Sequence, residues 1–173
     1  DKNADVSPMV AHRVDQLINF DYFVVLYLSK VDLSSKSRTG AANVDAIVHA
    51  LKNTQTLENI TLEYCKLDDG GMEKLAEGLE AHFAKNQGSS LKSLRLKGNR
   101  IGNRGIQALE FLFRSSTCLE ELDLSDNRIG SKGAASVLES LAQNRAGIPL
   151  STLNLAQNEI WDLSGNSMQP KNH

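Results

Sequence analysis

The chain has 173 residues, 40% of them hydrophobic and 23% charged, which excludes a disordered polar tract and is enough to bury one continuous core. Nineteen Lys and Arg against 21 Asp and Glu leave a net charge of −2, so neither nucleic acid nor an anionic membrane is expected as a partner. No apolar run reaches the roughly 20 residues of a membrane helix, and the polar start Asp1-Lys2-Asn3-Ala4-Asp5 is not a signal peptide. Two cysteines, Cys65 and Cys118, fit a reducing, cytoplasmic setting better than a stapled secreted domain.

In chain order, Val10, Val14, Leu17 and Ile18 mark one face of a helix that starts at Ser7-Pro8. Residues 1–22 are therefore read as the helix of a preceding repeat or as an N-terminal cap. The chain has 24 leucines, and from Phe23 onward they fall in a pattern: five copies of L-x-x-L-x-L-x-x-N-x-L, with conservative swaps, begin at 23, 57, 91, 119 and 150. The third reads Leu91-Lys-Ser-Leu94-Arg-Leu96-Lys-Gly-Asn99-Arg-Ile101, and the spacings are 34, 34, 28 and 31 residues. Alternation within each frame predicts a short strand with Leu94 and Leu96 inward and Ser93, Arg95 and Lys97 outward.

After each frame the period changes from two to 3.6. Val44, Ile47, Val48 and Leu51 form one buried helical stripe; Met72, Leu75, Ala76 and Leu79 form the next. Ile106, Leu109, Leu112 and Phe113 follow, then Ala134, Val137, Leu138 and Leu141, each on a helix of about three turns. Gly71, Gly105 and Gly133 recur before three of these stripes, where the chain is expected to turn tightly. The connections 34–39 and 81–90 exceed what the frame needs and are either rim contacts or disordered insertions. Residues 162–173 lack a stripe and are read as a truncated repeat or a tail, with Trp161 covering core at the repeat end rather than anchoring a partner.

Strand and helix in tandem imply parallel strands with helices returning on the other side: an α/β solenoid, or horseshoe. Strands pack at about 4.8 Å and helices at 8–10 Å, so the strands line the concave face and the helices the convex one. Stability then comes from stacking of neighbours.

The phrases Leu122-Asp-Leu-Ser-Asp-Asn127-Arg-Ile-Gly130 and Leu153-Asn-Leu-Ala-Gln-Asn158-Glu-Ile160 resemble the ribonuclease-inhibitor-like subfamily of leucine-rich repeats. The resemblance covers about 23–160. It implies Asn or Cys at the ninth frame position, met here by Cys65, Asn99, Asn127 and Asn158 but not by Val31. Those side chains are expected to bond backbone as it leaves the strand, which gives Cys65 a structural role. Family members include ribonuclease inhibitor, sensor ends of immune receptors, the Ran GTPase-activating protein and regulators of actin capping protein. Most bind proteins, so the resemblance implies a protein-interaction scaffold, part of a longer chain or complex, that needs no cofactor.

The outward side chains are the candidate binding residues: Tyr27, Lys30, Glu63, Tyr64, Arg95, Lys97, Glu121, Asp123, Asp126 and Asn154. Tyr and Arg are over-represented among binding hot spots, so Tyr27 and Tyr64 are the expected anchors beside a patch of mixed charge. Set against this, Arg95 and Asp123 pair across adjacent strands for about 0–1 kcal/mol. Seventh-position residues, Ser125 among them, are also read as outward.

Enzyme chemistry finds no support. His12, His49, His82 and His173 have no ligand-like spacing and are read as surface residues, so no metal is expected. Asp123-x-Ser125-x-Asn127 lacks the later glycine and glutamate of a calcium loop, and Gly98 to Gly105 lacks the lysine of a phosphate loop. Cys65 and Cys118 lie two strands apart, about 10 Å, too far for a disulfide. The alternative function is a regulatory module resembling the Ran GTPase activator, with Asn99, Arg100, Asn127 or Arg128 reaching a bound nucleotide, or else the sensor end of a larger receptor or effector.

Overall fold

The computed structural model describes residues 5–19, 24–54, 56–85 and 90–161. Helix α1 (Pro8–Asn19) is followed by β1 (Val25–Ser29), α2 (Arg38–Asn53), β2 (Asn59–Glu63), α3 (Asp69–Lys85) and β3 (Ser93–Arg95). Then come α4 (Asn103–Gln107), α5 (Glu110–Ser115), β4 (Glu121–Asp123), α6 (Ser131–Ala142) and β5 (Thr152–Asn154). Phe23, the tail 162–173 and His173 lie outside the described residues.

The strands form one sheet in sequential order, parallel throughout. Its register joins equivalent frame positions: Leu26, Ile60, Leu94, Leu122 and Leu153 stand in one row, and Tyr27, Thr61, Arg95, Asp123 and Asn154 in the row beside it. Helices pack in succession behind the sheet, α1 on α2, α2 on α3, α3 on α4, then α4 and α5 on α6. This is the α/β solenoid that the two alternating periods imply. Leu26, Leu28, Leu94, Leu96, Leu122 and Leu124 are fully buried against Ile47, Leu75, Ile106 and Val137 from the helices. Phe83 and Phe111 meet edge to face at 6.2 Å, joining α3 to α5.

Several local expectations are corrected. The third stripe lies on two short helices, because the chain tightens at Ala108 and Leu109: the Leu109 and Leu112 amides donate three residues back, to the Ile106 and Leu109 carbonyls. All four stripe residues stay buried across the break. Leu138, expected in the last stripe, is 54% exposed, and Leu141, Leu153, Leu155 and Ile160 are only half-buried. They belong to the last described coil, and no described residues stack beyond it. In α1, Val10 and Leu17 are buried while Ile18 is exposed.

The glycines that open the helices have a different cause from the one anticipated. None takes a positive φ. They are small because the preceding coil comes close: a Cβ on Gly133 would lie 2.5 Å from the Asn103 side-chain oxygen, and one on Gly105 2.8 Å from that of Asp69. The connection at 34–37 is ordered by hydrogen bonds of Asp32 with Ser34 and Ser37. The first half of the second long connection, 81–85, is helix, since α3 continues to Lys85.

Candidate protein-binding face

Residues at the third, fifth and eighth frame positions leave the sheet on the side away from the helices. On β1 and just after β2 the surface is apolar: Val25 is 40%, Tyr27 51% and Tyr64 43% exposed. Tyr64 is held by its backbone. The eighth position adopts a left-handed conformation in every coil, at Lys30, Tyr64, Gly98, Asp126 and Gln157, as the chain turns out of the strand. The Tyr64 ring lies across Gly98 so closely that a Cβ there would sit 2.3 Å from it.

The charged half begins at β3. Arg95 Nη2 lies 2.6 Å from Glu121 Oε1, and Ser93 Oγ donates to Glu121 Oε2 at 2.9 Å. The Arg95 hydrogen bond holds the Glu121 carboxyl below its ordinary range, and Glu121 in turn raises the guanidinium. The pairing of Arg95 with Asp123 is thus corrected. Asp123 turns along its own strand, where its Oδ1 accepts from the Ser125 amide at 2.9 Å and from the Ser125 hydroxyl at 2.6 Å. That bond draws Ser125 inward to 2% exposure, contrary to its expected outward setting. Asn154 is half-buried and accepts from the Ala156 amide, whereas Lys30 and Asp126 are exposed and Glu63 and Lys97 partly so. The ten candidates therefore share one face, with both exposed tyrosines at β1–β2 beside Lys30 and Glu63, and mainly charged side chains at β3 and β4.

Two polar ladders tie successive coils together behind this face. In the first, Asn99 Oδ1 accepts from the Cys65 and Leu67 amides of the coil before it, while its Nδ2 donates to the Leu62, Leu96 and Lys97 carbonyls. Asn127 and Asn158 repeat the motif one and two coils on. Cys65 takes the same place with its thiol directed at the Glu63 and Leu28 carbonyls, and burial pushes that thiol up. Neither Cys65 nor Cys118 is in a disulfide.

The second ladder escaped the sequence reading. Asp69 Oδ1 accepts from the Gly102 and Gly105 amides at the start of α4, Asn103 Oδ1 from those of Gly130 and Gly133 at the start of α6, and Ser131 Oγ from that of Trp161. Asp69 of α3 thus caps α4 and Asn103 of α4 caps α6, whereas Ser37 and Asp68 cap α2 and α3 from within their own coils. The signal was present as a polar residue one place after the frame's turn, but it pairs with glycines some 30 residues later.

His82 is 2% exposed, not a surface residue as read from the sequence. It stands three residues after Leu79 and extends the buried stripe of α3, where Nδ1 donates to the Thr54 carbonyl at 3.0 Å. Burial lowers its pKa. His12 and His49 are exposed, and Trp161 is half-exposed. Among the described residues no three His, Cys, Asp or Glu side chains converge in a metal-holding group, and no helix is long and apolar enough to cross a membrane.

Comparison with known proteins adds the following. The Leucine Rich repeat family model matches residues 89–109, the third frame with α4, and 115–138, the fourth frame with the first part of α6. A 65-residue stretch is 35% identical to Capping protein, Arp2/3 and myosin-I linker protein 2 of Mus musculus, covering 38% of this chain and 5% of that protein. A 68-residue stretch is 41% identical to Leucine-rich repeat-containing protein 41 of Rattus norvegicus, covering 39% of this chain and 8% of that one. The matches therefore span less than a tenth of either relative's length. The solved structure of Leiomodin-1 Actin-Binding Site 2 (ABS2) shares the fold at a TM-score of 0.61 and 17% identity, over 92% of this chain and 83% of that one.

Proposed function

We propose that this leucine-rich-repeat protein is a non-enzymatic interaction module that holds a protein partner on the outer face of its sheet. The observation that carries the reading is the presence of exposed Val25, Tyr27 and Tyr64 on the same sheet face as the Arg95–Glu121 pair. Large rigid aromatics beside an arginine have the composition of a binding hot spot. The names of two similar proteins mention actin binding and a link to capping protein, Arp2/3 and myosin-I, which makes actin and those proteins the first partners to test. Cys65, Asn99, Asn127 and Asn158 at the ninth position support the ribonuclease-inhibitor-like subfamily, and α1, packed on α2, is assigned as a cap or preceding coil. A cytoplasmic setting accords with two cysteines that form no disulfide.

The GTPase-activating alternative draws less support. Asn99 and Asn127 spend their amide groups on backbone between coils and have nothing left to offer a nucleotide. Tyr27→Ala and Tyr64→Ala should each weaken capture of an affinity-purified partner by roughly 30-fold, the weight of a hot-spot residue of about 2 kcal/mol. Arg95→Glu with Lys97→Glu should abolish it, with the far-ultraviolet dichroism of the wild type. Undiminished capture by all three variants would refute the face as the binding surface, and stimulated GTP turnover in a panel of small GTPases would favour the alternative.

A further inference from the structure

A second charged row runs along the rim where strands turn toward helices. The tenth frame position holds Asp32, Lys66, Arg100, Arg128 and Glu159 in successive coils, three cations flanked by an acid at each end. The coils are tied at this level, since the Arg100 amide donates to the Leu67 carbonyl at 2.8 Å and the Arg128 amide to the Ile101 carbonyl at 2.9 Å. At strand spacing the three cations therefore span about 10 Å. All three are exposed, and among the described residues none lies within ion-pair distance of a carboxylate.

The neighbouring acids are committed elsewhere. Asp68 is bound by Ser34 Oγ and the Ser35 and Gly71 amides, Asp69 caps α4, and Asp32 is bound by Ser34 and Ser37. Glu73 pairs with Arg104 at 2.8 Å. These carboxylates are hydrogen-bonded within the coils, although Asp32 still feels the Lys66 and Arg100 charges. Lys36, Arg100, Arg104 and Arg128 line a groove of about 540 Å³ together with Asp68, Asp69 and Gly102.

We propose that this rim binds a short acidic, carboxylate-rich segment of a protein partner, laid across the coils over Lys66, Arg100 and Arg128. Carboxylates on alternate residues of an extended segment lie about 7 Å apart, so a tract of three or four acidic residues covers the row. Asp32 and Glu159 repel any longer extension and fix its length. The surface is separate from the sheet face, and a guest held there can be gripped at both places.

The probe is a fluorescein-labelled peptide with four consecutive glutamates, followed by fluorescence anisotropy at low and physiological salt beside its glutamine counterpart. The glutamate peptide should bind, weakening with salt, and the glutamine peptide should bind at least tenfold more weakly. The triple variant Lys66→Gln, Arg100→Gln, Arg128→Gln should lose at least tenfold in affinity while keeping the native dichroism; Arg114→Gln, on the helix side, should lose none. Tyr27→Ala, which tests the sheet face, should bind the peptide as the wild type does. Binding by the triple variant within twofold of wild type overturns the proposal. Equal or tighter binding of an oligouridine of matched charge overturns the assignment to an acidic peptide.

Discussion

Replacing single rungs of the asparagine ladder by alanine should give unequal losses that the hydrogen-bond pattern dictates. Asn127→Ala removes four bonds, yet the Leu96 carbonyl keeps Asn99, the Leu124 carbonyl keeps Asn158, and the Ser125 carbonyl keeps the Gly98 amide. The group left without its partner is the Ile101 amide, 3.1 Å from Asn127 Oδ1. One buried unsatisfied donor costs about 1–3 kcal/mol. Asn99→Ala strands two, the amides of Cys65 and Leu67, and so should cost about 2–6 kcal/mol. Urea unfolding followed by circular dichroism reads both, with Asn154→Ala, whose bond to the Ala156 amide is exposed, as a near-neutral control. Equal losses at Asn99 and Asn127, or losses no larger than the control's, would refute the counting of orphaned amides as the source of the ladder's strength.

Gly133→Ala should destabilise the protein by about 1–3 kcal/mol, since the new methyl would press on Asn103 and break the cap it gives α6; an unchanged urea midpoint would show that the contact relaxes freely. His82 makes stability depend on pH. Its pKa is lowered by burial, so below about 6.5 the unfolded chain takes up a proton that the folded ring refuses. Stability is full above that pH and falls as the solution is acidified toward 5, before the carboxylates titrate. His82→Gln should flatten the urea midpoint between pH 7.5 and 5.5, and a slope equal to wild type would assign the effect elsewhere.

Frame register, strand order and inward leucines were legible because they rest on spacing alone: Leu94 must stand beside Leu122 if the frames stack at all. The asparagine ladder was legible for the same reason. Arg95 was not, because the fifth-position row sets Asp123 beside it while the choice of Glu121 is made by side-chain direction and by Ser93 and Ser125 competing for the two acids. The exposure of Leu138 escaped a stripe rule that counts apolar residues without asking which helix covers them. His82 was misread because imidazole on an apolar stripe has no spacing signature of its own. Its place became evident only with the Thr54 carbonyl beside it.

Gly98, beneath the Tyr64 ring, ties the outline of the proposed binding face to the backbone of the next coil. Any bulkier residue there must tilt the aromatic away from its seat and also bear the strain of a positive φ, so the change reaches both the surface and the scaffold. Specificity can thus drift through a single codon in the third coil, although the contact it changes is made by the second.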